Sequence, residues 1–276
     1  MRRGGRAVEG ARLESVYRLT PIVSSNLILS AIYFFRMMSA PISKLEKYWF
    51  DRLGCGPSDL RGGEVSVFAH GTDEAPHNVI IFKKGDACVI SAPTPLVALL
   101  TEKFSDQDCE EIFDAARLQE FFKNDADVII GPAWLGETDT VHFKACHDNS
   151  SREITDADKD AFSVFVRTCD PADIANSGLE WGRGSIVGVF ENDSLVSVAN
   201  YQVRADSIAH IGIVTRPDYR GQGYAQKAVS HITALALNLS YGIQYQTLVT
   251  NGPALALCKE LGFYDFAQTI TVKLPH

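Results

Sequence analysis

A strand, a turn and a helix between residues 207 and 239 constrain the fold more than any other segment of the chain. Isoleucine and valine enrich residues 207–215, which predicts a β-strand, and apolar side chains recur at helical spacing over residues 222–239. Two glycines stand between these elements, in the run Arg220-Gly221-Gln222-Gly223-Tyr224-Ala225. The sequence therefore predicts a strand of a sheet joined to a long helix by a tight, glycine-containing turn.

This turn has the chemistry of an anion-binding site. Glycines lack the Cβ atom that would keep the backbone away from a ligand, and the free N–H groups of a first helical turn direct partial positive charge at phosphate oxygens. Arg220 can add a charge-assisted contact. These residues favour a diphosphate ligand, with a plain turn before a helix as the alternative.

Two common phosphate-binding motifs do not fit the turn. A P-loop needs Lys and then Ser or Thr after its second glycine, and Tyr224-Ala225 stand there. A dinucleotide fingerprint needs glycine or alanine where this chain has Gln226, and an acidic residue farther on, but residues 235–250 contain neither Asp nor Glu. A different class of diphosphate ligand is therefore expected.

Length and composition are those of a globular protein with room for two domains. The chain has 276 residues, of which 46% are hydrophobic and 22% charged, and its formal net charge of -8 argues against a nucleic-acid partner. Its six cysteines are scattered without a C-x-x-C pair, which argues against a structural zinc site and a secreted disulfide framework. We therefore expect a cytoplasmic protein without a metal.

The first forty residues are basic at their start and then apolar. A targeting signal combines such features, but two glutamates interrupt the basic part, and the apolar run at residues 27–35 is too short to cross a membrane. We expect residues 1–40 to be a disordered extension, or translated sequence ahead of a true start at Met37 or Met38. No membrane partner is expected.

The rest of the chain divides into two segments. A polar stretch from Cys146 to Asp158 is typical of a linker, so we predict an α+β domain at residues 41–148 and a second domain at 149–276. The predicted helices cover residues 42–53, 95–104, 108–122, 156–168, 222–239 and 252–261, and the predicted strands cover 64–70, 79–82, 87–91, 127–131, 185–191, 194–203, 207–215, 245–250 and 265–274.

Two blocks of the second domain follow one known pattern. The first is Arg220-x-x-Gly223-x-Ala225, and the second runs from Asn251 to Phe263 with alanine, leucine and glycine at fixed intervals. Together they resemble the acyl-CoA signature of the GNAT superfamily of N-acetyltransferases. The resemblance covers residues 185–274 and implies a GNAT fold, a mixed and mostly antiparallel sheet flanked by helices. The first domain is similar to the divergent, degenerate GNAT-like half of two-domain members.

The resemblance implies which residues bind acetyl-CoA, the expected cosubstrate. In the family, the backbone of the strand before the loop pairs with the pantetheine arm, and the loop amides hold the pyrophosphate. The residue at the start of the second block approaches the pantetheine or the phosphates. The implied contacts are Ile213, Val214, Thr215, Arg220, Gly221, Gln222, Gly223, Tyr224, Ala225 and Asn251.

Four further residues are candidates for catalysis and acceptor binding. Many relatives carry Glu as a base at the place of His210, whose ordinary pKa suits a base, and a packed histidine is the alternative. Relatives often carry a tyrosine acid where this chain has Cys258, and a buried apolar thiol is the alternative there. Glu180 and Trp181 are candidates for the acceptor site, with simple packing as the alternative for Trp181.

The sequence thus predicts an N-acetyltransferase that moves an acetyl group from acetyl-CoA to a primary amine of a small molecule or protein. Because Cys258 replaces the tyrosine, a non-catalytic acyl-CoA-binding module is the alternative, with its first domain as an output or homodimer surface. An interaction adaptor on a degenerate fold is the third interpretation.

Overall fold

The computed structural model describes residues 42–60, 63–71, 77–123, 125–146 and 150–275. The extension predicted at residues 1–40 lies outside these residues. Two short 3-10 helices, at Asp156–Asp158 and Pro217–Tyr219, follow the strands Ser151–Glu153 and Ile208–Thr215. The α-helices of the described part are α1 (Lys44–Leu53), α2 (Thr94–Phe104), α3 (Cys109–Ile112), α4 (Ala115–Phe122), α5 (Lys159–Thr168), α6 (Pro171–Ser177), α7 (Tyr224–Asn238) and α8 (Gly252–Glu260).

Ten strands form one sheet, in the order β1-β3-β2-β10-β4-β9-β8-β7-β6-β5. The pairs β1–β3 and β8–β9 are parallel, and the other neighbouring pairs are antiparallel. The predicted α+β class, with a mixed and mostly antiparallel sheet flanked by helices, is confirmed. The strands are β1 (Val65–Ala69), β2 (Asn78–Lys84), β3 (Ala87–Ala92), β4 (Val128–Thr138), β5 (Ser151–Glu153), β6 (Ile186–Glu191), β7 (Ser194–Arg204), β8 (Ile208–Thr215), β9 (Gly242–Leu248) and β10 (Tyr264–Lys273).

Helices cover both faces of this sheet, because side chains of successive strand residues point to opposite sides. On one side, α7 and α8 pack on a core that includes Ile211 and Ile243; we call this the α7 face. On the other side, α1 packs on Phe82 and Leu135, and we call this the α1 face. The α1 face also carries α5 and α6, which pack on a core that includes Val214.

Helix α1 is held on the sheet by its cap and its apolar side. Ser43 Oγ accepts a hydrogen bond from the Glu46 N–H at 3.0 Å, and the Glu46 carboxylate accepts one from the Ser43 N–H at 3.2 Å, which forms a capping box. Leu45, Trp49 and Leu53 recur every four residues and are all buried. This spacing is what directs Trp49 onto the sheet.

Several predicted elements differ from the structure. The helix predicted at residues 108–122 is two helices, because the Asp114 side chain accepts hydrogen bonds from Ala116 and Arg117 and so begins a new helix. The strand predicted at residues 127–131 continues to Thr138. The sequence patterns do not predict α6 or β5, which are only 7 and 3 residues long.

One sheet crosses the predicted domain boundary between residues 148 and 149. Strand β10, from the second predicted domain, lies between β2 and β4, which belong to the first. Residues from Ile42 onward form one compact unit. The boundary itself stays a prediction, and the two segments share backbone hydrogen bonds along β4 and β10 and along β4 and β9.

Candidate active site

The parallel pair β8 and β9 separates part of the way along the strands. Their register runs from Ile208 opposite Gly242 to Ile211 opposite Tyr245, and among the described residues it goes no farther. Beyond that point β8 pairs with β7, while β9 pairs with β4. The two strands therefore leave an opening between Gly212–Thr215 and the end of β9, with backbone groups on its walls.

Successive residues of a strand direct their backbone N–H and C=O groups to opposite neighbours, and this decides which groups of β8 face the opening. The Arg216 N–H donates to Val196 O in β7 at 3.0 Å, so every second residue back from Arg216, including Val214, directs its backbone at β7. Ile213 and Thr215 direct theirs at the opening. Ile213 and Thr215 therefore suit the predicted pantetheine contact better than Val214, although all three assignments stay predictions.

The glycine loop after β8 has the open backbone that the sequence predicts. Gly221 and Gly223 have φ angles of 75° and 82°, in the left-handed region that favours glycine. A Cβ built on either would meet no described atom within 4 Å. Gly223 is the N-cap of α7, and within the described residues the first turn has no side-chain cap. The first-turn N–H groups, which include those of Tyr224 and Ala225, therefore have no capping side chain among the described residues.

Arg220 holds the loop to its surroundings. Its Nη2 donates to the Asp173 carboxylate of α6 at 2.7 Å, and its Nε donates to the Thr215 carbonyl at 3.2 Å. Arg220 therefore ties β8, the loop and α6 together, in addition to its predicted role at the phosphates. Lys227 is a second cation here, with its Nζ 3.4 Å from Ser150 Oγ.

Asn251 begins α8 at the same edge of the sheet, because β8 and β9 are parallel and each runs into a helix. Its Oδ1 accepts a hydrogen bond from the Ala254 N–H at 3.3 Å. This N-cap bond gives Asn251 a structural role of its own. Its predicted contact with acetyl-CoA stays a prediction.

His210 lies on the α1 face, next to the opening, and its ring is held by two other side chains. Gln244 in β9 lies opposite His210, with its Nε2 3.0 Å from His210 Nδ1. The indole Nε1 of Trp49 donates to Gln244 Oε1 at 2.8 Å. Burial, with the nearby charges of Arg204 and Arg52, lowers the pKa of His210 to about 4. The ring is therefore neutral near pH 7.

Cys258 is fully buried in the core under α8. Burial raises the pKa of its thiol, so the sulfur keeps its proton. Tyr245 and Phe263 belong to the same cluster of buried side chains. These surroundings are those of a small packed side chain, and the predicted role of Cys258 as an acid stays a prediction.

Glu180 and Trp181 follow α6 and lie on the α1 side of the sheet. Glu180 is exposed and pairs with Arg183, whose Nη1 is 3.1 Å from its carboxylate. Trp181 packs against Phe162 with ring centroids 5.1 Å apart, and it lines an open pocket of about 440 Å³ together with Thr155. The structure places both residues apart from the His210 cavity, and their predicted contact with the acceptor stays a prediction.

Sequence patterns did not point to the partners of His210. A cavity of about 160 Å³ on the α1 face brings together His210, Trp49, Gln244 and Arg204, four residues from four different elements. The one signal in the sequence for these partners was a polar residue within an otherwise apolar strand, such as Gln244, which is 3% exposed, because a buried polar side chain needs a hydrogen-bond partner. The full lining of the cavity in the described residues is Tyr48, Trp49, Arg52, Ile80, Arg204, His210, Gln244, Gln246, Thr269 and Thr271.

No group of three or more His, Cys, Asp or Glu in the described part of the chain is placed to hold a metal ion. None of the helices in that part is long and apolar enough to cross a membrane.

One protein-family model matches a segment in the second half of the chain. Residues 151–263 match the sequence model of the acetyltransferase (GNAT) family, and the matched range contains both the glycine loop and the block that begins at Asn251. This match confirms the resemblance predicted from those two blocks. Among curated proteins, none matches the chain.

Solved structures give looser similarities. A protein of the GNAT family from Novosphingobium aromaticivorans has a TM-score of 0.45 at 19% identity, over 55% of this chain and 67% of its own. A GNAT acetyltransferase from Colwellia psychrerythraea has a TM-score of 0.44 at 14% identity, over 58% and 62%. A GCN5-related N-acetyltransferase from Kribbella flavida has a TM-score of 0.43 at 14% identity, over 56% and 62%. At these scores the similarity says nothing about substrates.

Proposed function

We propose that this chain transfers an acetyl group from acetyl-CoA to a primary amine of a small molecule or protein, because residues 151–263 match the sequence model of the acetyltransferase (GNAT) family. The observation that carries the proposal is the opening between β8 and β9, which leads directly into the glycine loop and the uncapped start of α7. Acetyl-CoA carries its thioester at one end and its pyrophosphate farther along the molecule. The opening between β8 and β9 would hold the thioester, and the glycine loop with the start of α7 would hold the pyrophosphate.

The residues at this edge suit acetyl-CoA in shape and charge. The loop has room beside Gly221 and Gly223, and the backbone N–H groups of the α7 start are the donors that a pyrophosphate needs. Ile213 and the Thr215 N–H offer backbone groups to the amides of a pantetheine arm, as an added strand would. The arginine at 220 keeps the loop in this shape.

Acetyl-CoA supplies an activated thioester, and the chain must position an amine against it. The neutral amine nitrogen forms a bond to the carbonyl carbon, the carbon–sulfur bond breaks, and the amine gives up one proton while the sulfur gains one. His210 lies beside the opening, but a pKa of about 4 makes it a weak base. A site that binds amines in their neutral form would not need a strong one.

The cysteines support a reducing compartment such as the cytoplasm. The cysteines of the described residues are all free thiols, and four of the six are buried. A homodimer stays part of the proposal, without a surface assigned to it.

Thermal unfolding tests donor binding. Acetyl-CoA and longer acyl-CoAs should raise the melting temperature of the wild-type chain, since a ligand that binds only the folded state stabilises it. Gly223→Trp fills the space beside the α7 start and should abolish this rise. Gly85→Trp is the matched control, because Gly85 also has a positive φ of 59° and open surroundings, in the β2–β3 turn.

The outcomes separate the functions. Equal stabilisation of wild type and Gly223→Trp by acetyl-CoA would show that the pyrophosphate site is wrong. Thiol release from acetyl-CoA with a panel of primary amines would support the transferase. Stabilisation by acetyl-CoA with no thiol release from any amine would favour the non-catalytic acyl-CoA-binding module, for which the buried Cys258 is the motivating observation.

A further inference from the structure

Trp49 fixes the orientation of the Gln244 amide. An indole N–H can only donate, so the Gln244 atom 2.8 Å from Trp49 Nε1 must be the amide oxygen. The amide nitrogen of Gln244 then faces His210 Nδ1 at 3.0 Å, and it too can only donate. His210 Nδ1 is therefore the acceptor, and in the neutral ring the proton lies on Nε2.

The same arrangement keeps His210 neutral. A second ring proton on Nδ1 would point at the N–H groups of Gln244, and the guanidinium groups of Arg204 and Arg52 lie near enough to disfavour a third positive charge. At neutral pH His210 thus presents Nε2–H. It is a hydrogen-bond donor on that side and not a base.

The cavity beside His210 is rich in donors. Arg204 contributes a guanidinium with five N–H groups, one of which donates to Gln202 Oε1 at 2.6 Å. Gln246, Thr269 and Thr271 also line the cavity, and Gln246 Nε2 donates to Thr269 Oγ1 at 3.4 Å. Among the described residues that line it there is no Asp or Glu. Such a lining suits an anion with two planar oxygens, because arginine pairs with carboxylates through parallel hydrogen bonds.

The cavity adjoins the place where the acetyl group would react. His210 and Gln244 form the last but one pair of the β8–β9 register, and Gln246 is the first β9 residue beyond it. Two residues of a strand span roughly 7 Å. A carboxylate bound at His210 would therefore place the amino group of the same small molecule near the opening.

We propose that this cavity binds the carboxylate of the acyl acceptor, so that the acceptor is an amino acid or a similar amine that carries a carboxylate. The proposal rests on the acyl transfer proposed above. Arg204 and the Nε2–H of His210 are the binding groups, and Trp49 and Gln244 are positioning residues that set the direction of the His210 donor.

Matched acceptor pairs test this directly. The kcat/KM for glycine is compared with that for methylamine, and the value for phenylalanine with that for phenethylamine, with acetyl-CoA as donor and each value corrected for the fraction of neutral amine. The wild-type chain should prefer the carboxylate-bearing member about tenfold or more. Arg204→Gln should reduce the ratio by about tenfold, mainly through KM, and Arg204→Lys by less. Arg167→Gln, an exposed arginine of α5, should leave it unchanged.

His210→Gln separates a donor from a base. Glutamine keeps an N–H near the place of Nε2 but cannot accept a proton from the amine. If His210 is the donor, this variant keeps a preference for glycine over methylamine, and His210→Ala loses it. If His210 is the base, both variants lose kcat alike for all amines, and the donor assignment is wrong.

Two further arms make the outcome decisive. Succinyl-CoA replaces acetyl-CoA with one amine, and a preference for succinyl-CoA that Arg204→Gln abolishes would assign the carboxylate to the acyl group and overturn the acceptor proposal. Phenylalanine is also added to the CoA-loaded chain in thermal unfolding, where it should raise the melting temperature of wild type but not of Arg204→Gln. This thermal shift tests the cavity even if no amine is acetylated. Absence of acetylation would reject the transferase alone. Absence of the thermal shift in wild type would overturn the cavity proposal.

Discussion

His210 lies on β8 and the glycine loop follows that strand, yet the loop and the His210 cavity are built from different parts of the chain. The loop offers backbone N–H groups, and its key residues are glycines with positive φ and no side chain. The cavity offers side chains, and two of them are hydrogen-bonded to partners from other elements: Gln244 to Trp49, and His210 to Gln244.

This difference separates two kinds of recognition. A site made of backbone can accept the diphosphate that every acyl-CoA shares, because its donors do not depend on side-chain identity. A site made of fixed side chains can distinguish one acceptor from another, since a buried donor left without a partner is costly. We therefore expect changes at the loop to affect all substrates and changes at the cavity to affect their ranking.

Gly223→Asp should have the largest effect. It places a carboxylate beside the uncapped α7 start, where repulsion of the pyrophosphate should weaken acetyl-CoA binding by about a hundredfold, roughly 2.7 kcal/mol. Titration of acetyl-CoA by calorimetry measures it. Asparagine in Gly223→Asn has a similar shape without the charge, so this variant should lose clearly less affinity for acetyl-CoA. Equal losses in the two variants would show that charge at this helix start does not matter.

The pH dependence of stability should reveal the lowered pKa of His210. Its pKa is about 4 in the folded chain and about 6.5 in the unfolded chain, so the unfolded chain binds more protons between these values. The free energy of unfolding should therefore be highest above pH 6.5 and should fall towards pH 4. We expect a fall of about 2 kcal/mol, which is less than the full pKa difference would give, because the ring keeps some exposed surface.

Urea denaturation at several pH values measures this fall for wild type and His210→Gln. The difference between the two proteins should shrink as the pH drops from 6.5 to 4, because the variant has no ring to protonate. A difference that is constant over this range would contradict the lowered pKa.

Trp49→Phe should disturb the cavity but leave the loop intact. The variant leaves Gln244 Oε1 without its donor and should cost about 1.5 kcal/mol of unfolding free energy. Trp134→Phe is the matched control, because Trp134 Nε1 donates to Asp265 Oδ1 at 2.6 Å on the α7 face. Nitrogen NMR of the His210 ring should show a shift from the Nε2–H tautomer in Trp49→Phe only. An unchanged tautomer in that variant would exclude the role given to Trp49.

Asn251→Ala should have the smallest effect. Loss of the side-chain bond to the Ala254 N–H should cost about 1 kcal/mol, as is usual for an N-cap, and Asn251→Ser should keep most of the stability. Denaturation without ligand measures the cap. A smaller acetyl-CoA shift in both variants, beyond the loss of the cap, would support the ligand contact that the resemblance implies; an unchanged shift would limit Asn251 to its cap.

Particular residues show how far sequence reasoning could go. Helix α7 and strand β8 were predicted within two residues of their bounds, because their apolar spacing is regular. The break at Asp114 and the short α6 were not, because a cap or a seven-residue helix adds little periodic signal. His210 was singled out by its place in the motif strand, but the pattern could not show that Gln244 holds its Nδ1.

The sequence by itself determined the loop, since a backbone with φ of 75° and 82° strongly favours glycine, and that preference is visible in a single stretch of chain. The tertiary structure decided the rest. Trp49 and Gln244 are 195 positions apart, and only the packing of α1 on β9 joins them into a hydrogen bond. The opening between β8 and β9 likewise depends on which strands pair with each other, and that pairing is set only in the assembled sheet.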